Sequence, residues 1–215
     1  MAILSIQELI DIAVITLALG YIFSGMFDRY RRISSSSHES ENEEYDPIAH
    51  IQKRRALGMF DWDSLKFAMI ITAPAVILHE FGHKFVAMAF GATATFHAAG
   101  LFGIPYGGVL LGVVLKLMNT GFIFFIPAFV SHTAVSNTGN ILIAFAGPAV
   151  NLVLWIVPML IMRMNLIKDA KTNRKIGPMM MLTSKINMFL FIFNMIPIPG
   201  FDGYWVFRGI LGLFL

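Results

Sequence analysis

FAMIITAPAVILHEFGHKFVAMAF fills residues 67–90. Its 24 residues span about 36 Å at a helical rise, enough to cross the roughly 30 Å of bilayer hydrocarbon. Pro74 lies inside it and should kink the helix. The stretch is apolar apart from His79, Glu80, His83 and Lys84. A carboxylate at membrane depth costs several kcal/mol unless something compensates it, so Glu80 reads as functional. On a helix, His79 and His83 stand at i and i+4, and both imidazoles leave the same face.

The rest of the chain agrees with a bilayer. Of its 215 residues, 57% are hydrophobic and 13% charged, and the mean hydropathy is +0.71. The charged share is about half that of a soluble domain. The expected fold is an all-α polytopic membrane protein of about five to six transmembrane or re-entrant segments. Its length suits a single membrane domain. The net charge of +3 comes from basic residues in loops beside apolar spans, with no basic–aromatic pattern, so a nucleic-acid partner is excluded. Cysteine is absent, which removes disulfides, thiolate metal sites and a cysteine nucleophile.

Residues 8–27 form a first span with no basic region before it, read as retained in the membrane, and Arg29, Arg31 and Arg32 mark its exit. Residues 1–28 are therefore an N-terminal transmembrane unit. Residues 29–66 form a polar, charged linker, in which 34–46 are acidic and without periodicity, and include His38, His50 and the run Lys53-Arg54-Arg55. Residues 67–215 form the catalytic membrane core. Within it, residues 101–117 are apolar and glycine-rich, a span or a re-entrant hairpin. Residues 120–131 are too short to cross as a helix and read as a strand or re-entrant piece, a small β element between the catalytic spans. Residues 140–162 and 179–196 are spans, separated by a basic loop at 163–175, and residues 203–215 begin a last short helix. His97 and His132 flank the middle region and read as loop histidines.

The chemistry sits where charge is scarce. From Phe67 to Leu215 the acidic residues are Glu80, Asp169 and Asp202. Two histidines on one helix face suit a tetrahedral zinc, and Glu80, one position on, is placed to take a proton from a metal-bound water without competing for the metal. Such a site wants a third protein ligand. Asp202 is the candidate, within Asn194-Met-Ile-Pro197-Ile-Pro199-Gly-Phe-Asp202-Gly203. The prolines forbid a continuing helix and Gly203 permits close backbone approach. The plainer reading of Asp202 is an N-cap for the last helix.

Together these residues resemble the site-2 protease family of intramembrane metalloproteases. The pattern HExxH matches His79 to His83, and NxxPxPxxDG matches Asn194 to Gly203 at every fixed position; Gly147-Pro148 in the intervening span also fits. The resemblance covers roughly residues 67 to 210. It implies one Zn2+ per chain held by His79, His83 and Asp202, with Glu80 as general base. It implies that Asn194 faces the site and binds the substrate carbonyl or the developing oxyanion. Asn187, seven positions before Asn194, either lines the same face or packs. The implied substrate is a transmembrane protein segment, which must unwind before its carbonyls can be reached, and the implied location is the lipid bilayer of the cell membrane, as a multi-pass protein. The alternatives are an inactive homologue, which should have lost Glu80 or a ligand, and a zinc-binding or transport protein, which should show further polar ligands along a path.

Two arguments on orientation oppose each other. Of 16 Lys and Arg residues, 7 lie in residues 28–66 and 5 in 163–175, which the positive-inside rule assigns to the cytoplasm. The resemblance implies that these loops face outward, with the site nearer the cytosol, and we take that placement as the expectation.

Overall fold

The structure, a computed structural model, describes residues 4–35, 61–101, 104–118 and 128–214. His38, His50 and Lys53-Arg54-Arg55 lie outside the described residues, as does most of 120–131. The described elements run α1 Ile6–Phe23, α2 Asp28–Ser35, α3 Trp62–Ala89, β1 Ala94–Ala98, α4 Gly107–Leu117, β2 Ala128–His132, α5 Asn137–Arg163, α6 Ala170–Asn194 and α7 Asp202–Phe214. Four helices are long and apolar enough to cross a bilayer: α1, α3, α5 and residues 172–194 of α6. The fold is the expected all-α polytopic membrane protein with a small sheet.

Helix starts follow local chemistry. Ser5 and Glu8 form a capping box on α1, each satisfying a backbone N–H of the other. Asp61, Ser136 and Asp169 cap α3, α5 and α6 with their side-chain oxygens. Asp169 accepts from the Thr172 N–H at 2.7 Å. The basic stretch 163–175 is therefore only partly loop, because α6 begins at Ala170.

Between α3 and α5 the described residues form three elements, β1, α4 and β2. The 11-residue helix α4 covers about 16 Å, half a bilayer, so it does not cross. It runs beside α1 in the same direction, pinned by Tyr106 to Asp11 at its start (2.9 Å) and by Lys116 Nζ to the Ser24 carbonyl at its end (2.8 Å). β1 and β2 pair antiparallel, Ala94 opposite His132 through Ala98 opposite Ala128. β1 follows α3 after a turn at Gly91, whose φ of 77° favours a residue without a Cβ.

α5 is the hub, packed against α3, α6 and α7. Its buried face includes Gly139, Ile143, Gly147 and Asn151, every fourth residue, one ridge along the helix. The core unites α1, α3, the sheet and α4 through Ile15, Leu19, Ala73, Phe96, Val109 and Ala128. At the opposite end Ser34 Oγ donates to the Lys175 carbonyl at 2.5 Å, and Arg31 pairs with Asp61 at 3.0 Å. The two basic segments thus share one end of the bundle.

Candidate metal centre

His79, Glu80 and His83 lie 17 to 21 positions after Trp62 on α3, about 26–32 Å along the helix and near the end remote from the basic segments. All three are buried. Gly82, on the opposite side of the glutamate, lets α5 approach: a Cβ there would lie 2.8 Å from the Ala146 carbonyl oxygen. Gly147 is the counterpart on α5, where a Cβ would overlap the Nε2 atoms of both His79 and His83. The side-chain-free surfaces of two crossing helices therefore make the room the imidazoles occupy.

Asp202 arrives by a different route. Pro197 and Pro199 end α6, and Gly200 turns the chain with a φ of 101°. Gly203 packs where a Cβ would overlap the Met195 carbonyl. That turn reverses the backbone and brings Asp202, the first residue of α7, back onto α3. Its Oδ2 stands 3.1 Å from His79 Nε2 and 3.4 Å from His83 Nε2. The two Nε2 atoms are 3.1 Å apart.

The hydrogen bonds behind the imidazoles decide what those three atoms are. His83 Nδ1 meets the Ile143 carbonyl at 2.6 Å. A carbonyl only accepts, so Nδ1 carries the proton and Nε2 of the neutral ring is bare. His79 Nδ1 meets Asn151 Oδ1 at 2.5 Å. The Asn151 amide donates to the Ala75 carbonyl at 3.0 Å and to Asn187 Oδ1 at 2.8 Å. Its oxygen therefore accepts from His79, whose Nε2 is also bare. Asp202 Oδ2 is buried with no hydrogen-bond donor among the described residues. Two nitrogen lone pairs and a carboxylate oxygen at 3.1 to 3.4 Å repel one another unless a cation lies among them. Tetrahedral zinc, with bonds near 2.0–2.2 Å, separates its ligand atoms by roughly 3.3 Å. The donor set fits zinc, and it is the group of His, Asp and Glu side chains found able to hold a metal among the described residues.

The site opens into a cavity of about 940 Å³. Glu80 and Asn194 line it with the three ligand candidates, as do Val130 and His132 of β2 and Arg208 of α7. The Asn194 amide donates to the Leu190 carbonyl at 3.0 Å, which leaves its second N–H and its oxygen for other partners. His97 is not at the site; it bonds Ser131 at 3.0 Å on the sheet. His132 is at the rim of the cavity rather than in a separate loop.

Sequence reading gave Asn151 no role and left Asn187 between lining the site and packing; the structure makes them a buried pair behind His79. Both are fully buried, and Asn187 Nδ2 closes the chain on the Thr183 carbonyl at 2.8 Å. A polar residue deep in an apolar span was the available signal for each. The same signal existed for Glu8 and Asp11 in α1.

No protein-family profile matches the chain, and no solved structure matches it. A curated protein of Methanocaldococcus jannaschii does: it is 34% identical over 143 residues, covering 66% of this chain and 69% of the relative, and bears the name "putative zinc metalloprotease".

Proposed function

The chain belongs to the zinc metalloprotease family of that archaeal relative, and from this premise we propose that it is an intramembrane protease of the site-2 type, hydrolysing peptide bonds within transmembrane segments. The observation that carries the proposal is the convergence of His79, His83 and Asp202, with Glu80 beside them on the wall of one cavity, inside a bundle of membrane-length helices.

Zinc bound there would lower the pKa of a water molecule and polarise a peptide carbonyl. Asn151 and Ile143 hold the two imidazoles in the tautomer that presents Nε2, the orienting role that partners of metal-bound histidines take. Glu80 accepts the proton of the attacking water and returns it to the leaving amine. Asn194, with one amide N–H uncommitted, donates to the oxygen on which negative charge develops. The attacking water enters through the cavity, whose lining includes His132, Asn140 and Arg208. The substrate helix hides its own carbonyls, so a short segment must be extended before it is cut. Ala128, Val130 and His132 of β2 line the cavity, which supports pairing of that extended segment with the β2 edge.

The test is cleavage of a transmembrane peptide by purified protein in detergent, with metal analysis in parallel. One zinc per chain and chelator-sensitive cleavage are expected. Glu80→Gln should lose at least about 10²-fold in turnover while keeping the metal. Full zinc occupancy in the His79→Ala, His83→Ala double variant, or near-normal turnover in Glu80→Gln, overturns the reading.

A further inference from the structure

α1 buries one stripe: Glu8, Asp11, Ile15, Leu19 and Ile22, with Gly20 beside it. The aliphatic members pack on α3 and its neighbours as a membrane anchor requires. The two carboxylates do not fit that role. They are only 3% and 4% exposed, in a helix of membrane length, where an anchor would be better served by leucine. Neither belongs to the metal group.

Their partners include two backbone N–H groups of β1. Glu8 Oε1 accepts the Phe96 N–H at 2.8 Å and also the ammonium of Lys84, while Oε2 holds the Ser5 N–H at 2.8 Å. Asp11 Oδ2 accepts the Ala98 N–H at 3.0 Å. Its Oδ1 accepts from Tyr106 and Gln7, both at 2.9 Å. Phe96 and Ala98 are two apart in β1, so both turn their backbone to the same edge. Thr95 and His97 turn theirs to Ser131 and Phe129 of β2. By the same alternation Ala128 and Val130, opposite Ala98 and Phe96, turn their backbone groups away from β1.

A helix cannot finish a sheet with its own backbone, because its carbonyls are already bonded within it. Only side-chain acceptors can do so, and each carboxylate brings two oxygens. We infer that Glu8 and Asp11 are positioning residues that close the outer edge of β1, so that an extended substrate segment can add to the sheet only at β2. Lys84, next to His83 on α3, carries the same contact to the helix of the metal ligands and fixes the hairpin relative to them. α1 thus holds the hairpin in place beside the cavity without entering it. This inference rests on the protease reading above.

The test uses the absence of cysteine. In the full-length Glu80→Gln protein, which spares the peptide, single cysteines are placed at Val130 or Thr95. Transmembrane peptides carrying one cysteine each along their length are then added under mild oxidation. Cross-linking to Val130→Cys and not to Thr95→Cys is expected; equal cross-linking of both, or preference for Thr95→Cys, overturns the inference. In the active protein, Asp11→Ala should raise KM about tenfold, as for loss of one to two edge hydrogen bonds, with kcat and zinc content kept. Asp11→Asn, whose amide oxygen still accepts from Ala98, should restore KM. Unchanged KM in Asp11→Ala, or joint loss of zinc and kcat, makes the residue merely structural and overturns it. Asp11 is chosen over Glu8 because removing Glu8 strands the buried Lys84 ammonium. Failure of the protease reading looks different: the unsubstituted protein cuts no peptide, whatever the cross-linking pattern.

Discussion

Two asparagines divide the work at the scale of single residues. Asn151 sits behind His79, so Asn151→Ala should weaken zinc affinity about 10- to 100-fold, as loss of such an orienting partner does; competition against a graded chelator measures it. Asn194 borders the cavity, with its amide on the Leu190 carbonyl. Asn194→Ala should instead cut turnover with zinc content unchanged, by the equivalent of about 2–4 kcal/mol if its N–H stabilises the oxyanion. Parallel loss of metal and turnover would make Asn194 structural. His79, Glu80 and His83 could be read from the sequence because a helical metal site fixes their spacing. Asp202 could be read because acids are scarce around it. Asn151, Asn187, Glu8 and Asp11 could not be assigned, because each acts on a partner 36 to 88 positions away and nothing local encodes that distance.

At the scale of elements, long helices were legible and short ones were not. The spans announced themselves by apolar length, and their starts were fixed by single capping residues. Residues 101–117 could be a span or a re-entrant hairpin and 120–131 a strand or re-entrant piece, because a short apolar run carries too little pattern to decide; α1, which pins both ends of α4 and supplies acceptors to β1, is a distant partner that such a run does not reveal. α3 offers a clean test of local encoding. Asp61 accepts from the Asp63 and Ser64 N–H groups at 3.0 and 3.3 Å and pairs with Arg31. Burial alone raises its carboxyl pKa, but the Ser64 hydrogen bonds and the Arg31 charge outweigh burial and hold it below the usual carboxylate range. Its contribution is therefore present above the unfolded value of about 3.9 and is lost as pH falls through the lower folded value. Asp61→Ala should cost about 1 kcal/mol, read as a lower unfolding midpoint in detergent at neutral pH. That deficit should shrink as pH falls below the ordinary carboxylate range and the folded carboxyl takes up its proton; a constant deficit across pH would show that the charge plays no part.

For the whole molecule the open question is which way it stands in the membrane. The bond from Ser34 to Lys175 gathers the basic segments at one end, and the metal centre lies toward the other. The charge rule sends the basic end to the cytoplasm, and the family resemblance sends it outward. We expect the latter. Asn173 is exposed near the basic end, and in this cysteine-free chain Asn173→Cys should react in intact cells with an impermeant thiol reagent. Labelling only after lysis would favour the charge rule. The turn that returns Asp202 to α3 has one more consequence, for biosynthesis. Asp202 follows His83 by 119 positions, about 6–24 s of translation at ordinary rates. Until then a nascent chain holds two imidazoles and the glutamate without the carboxylate that completes the proposed ligand set. On the proposed ligand set, a nascent chain that has not yet made Asp202 is unarmed, and on the protease reading membrane proteins inserted beside it are safe from it until that residue reaches α3.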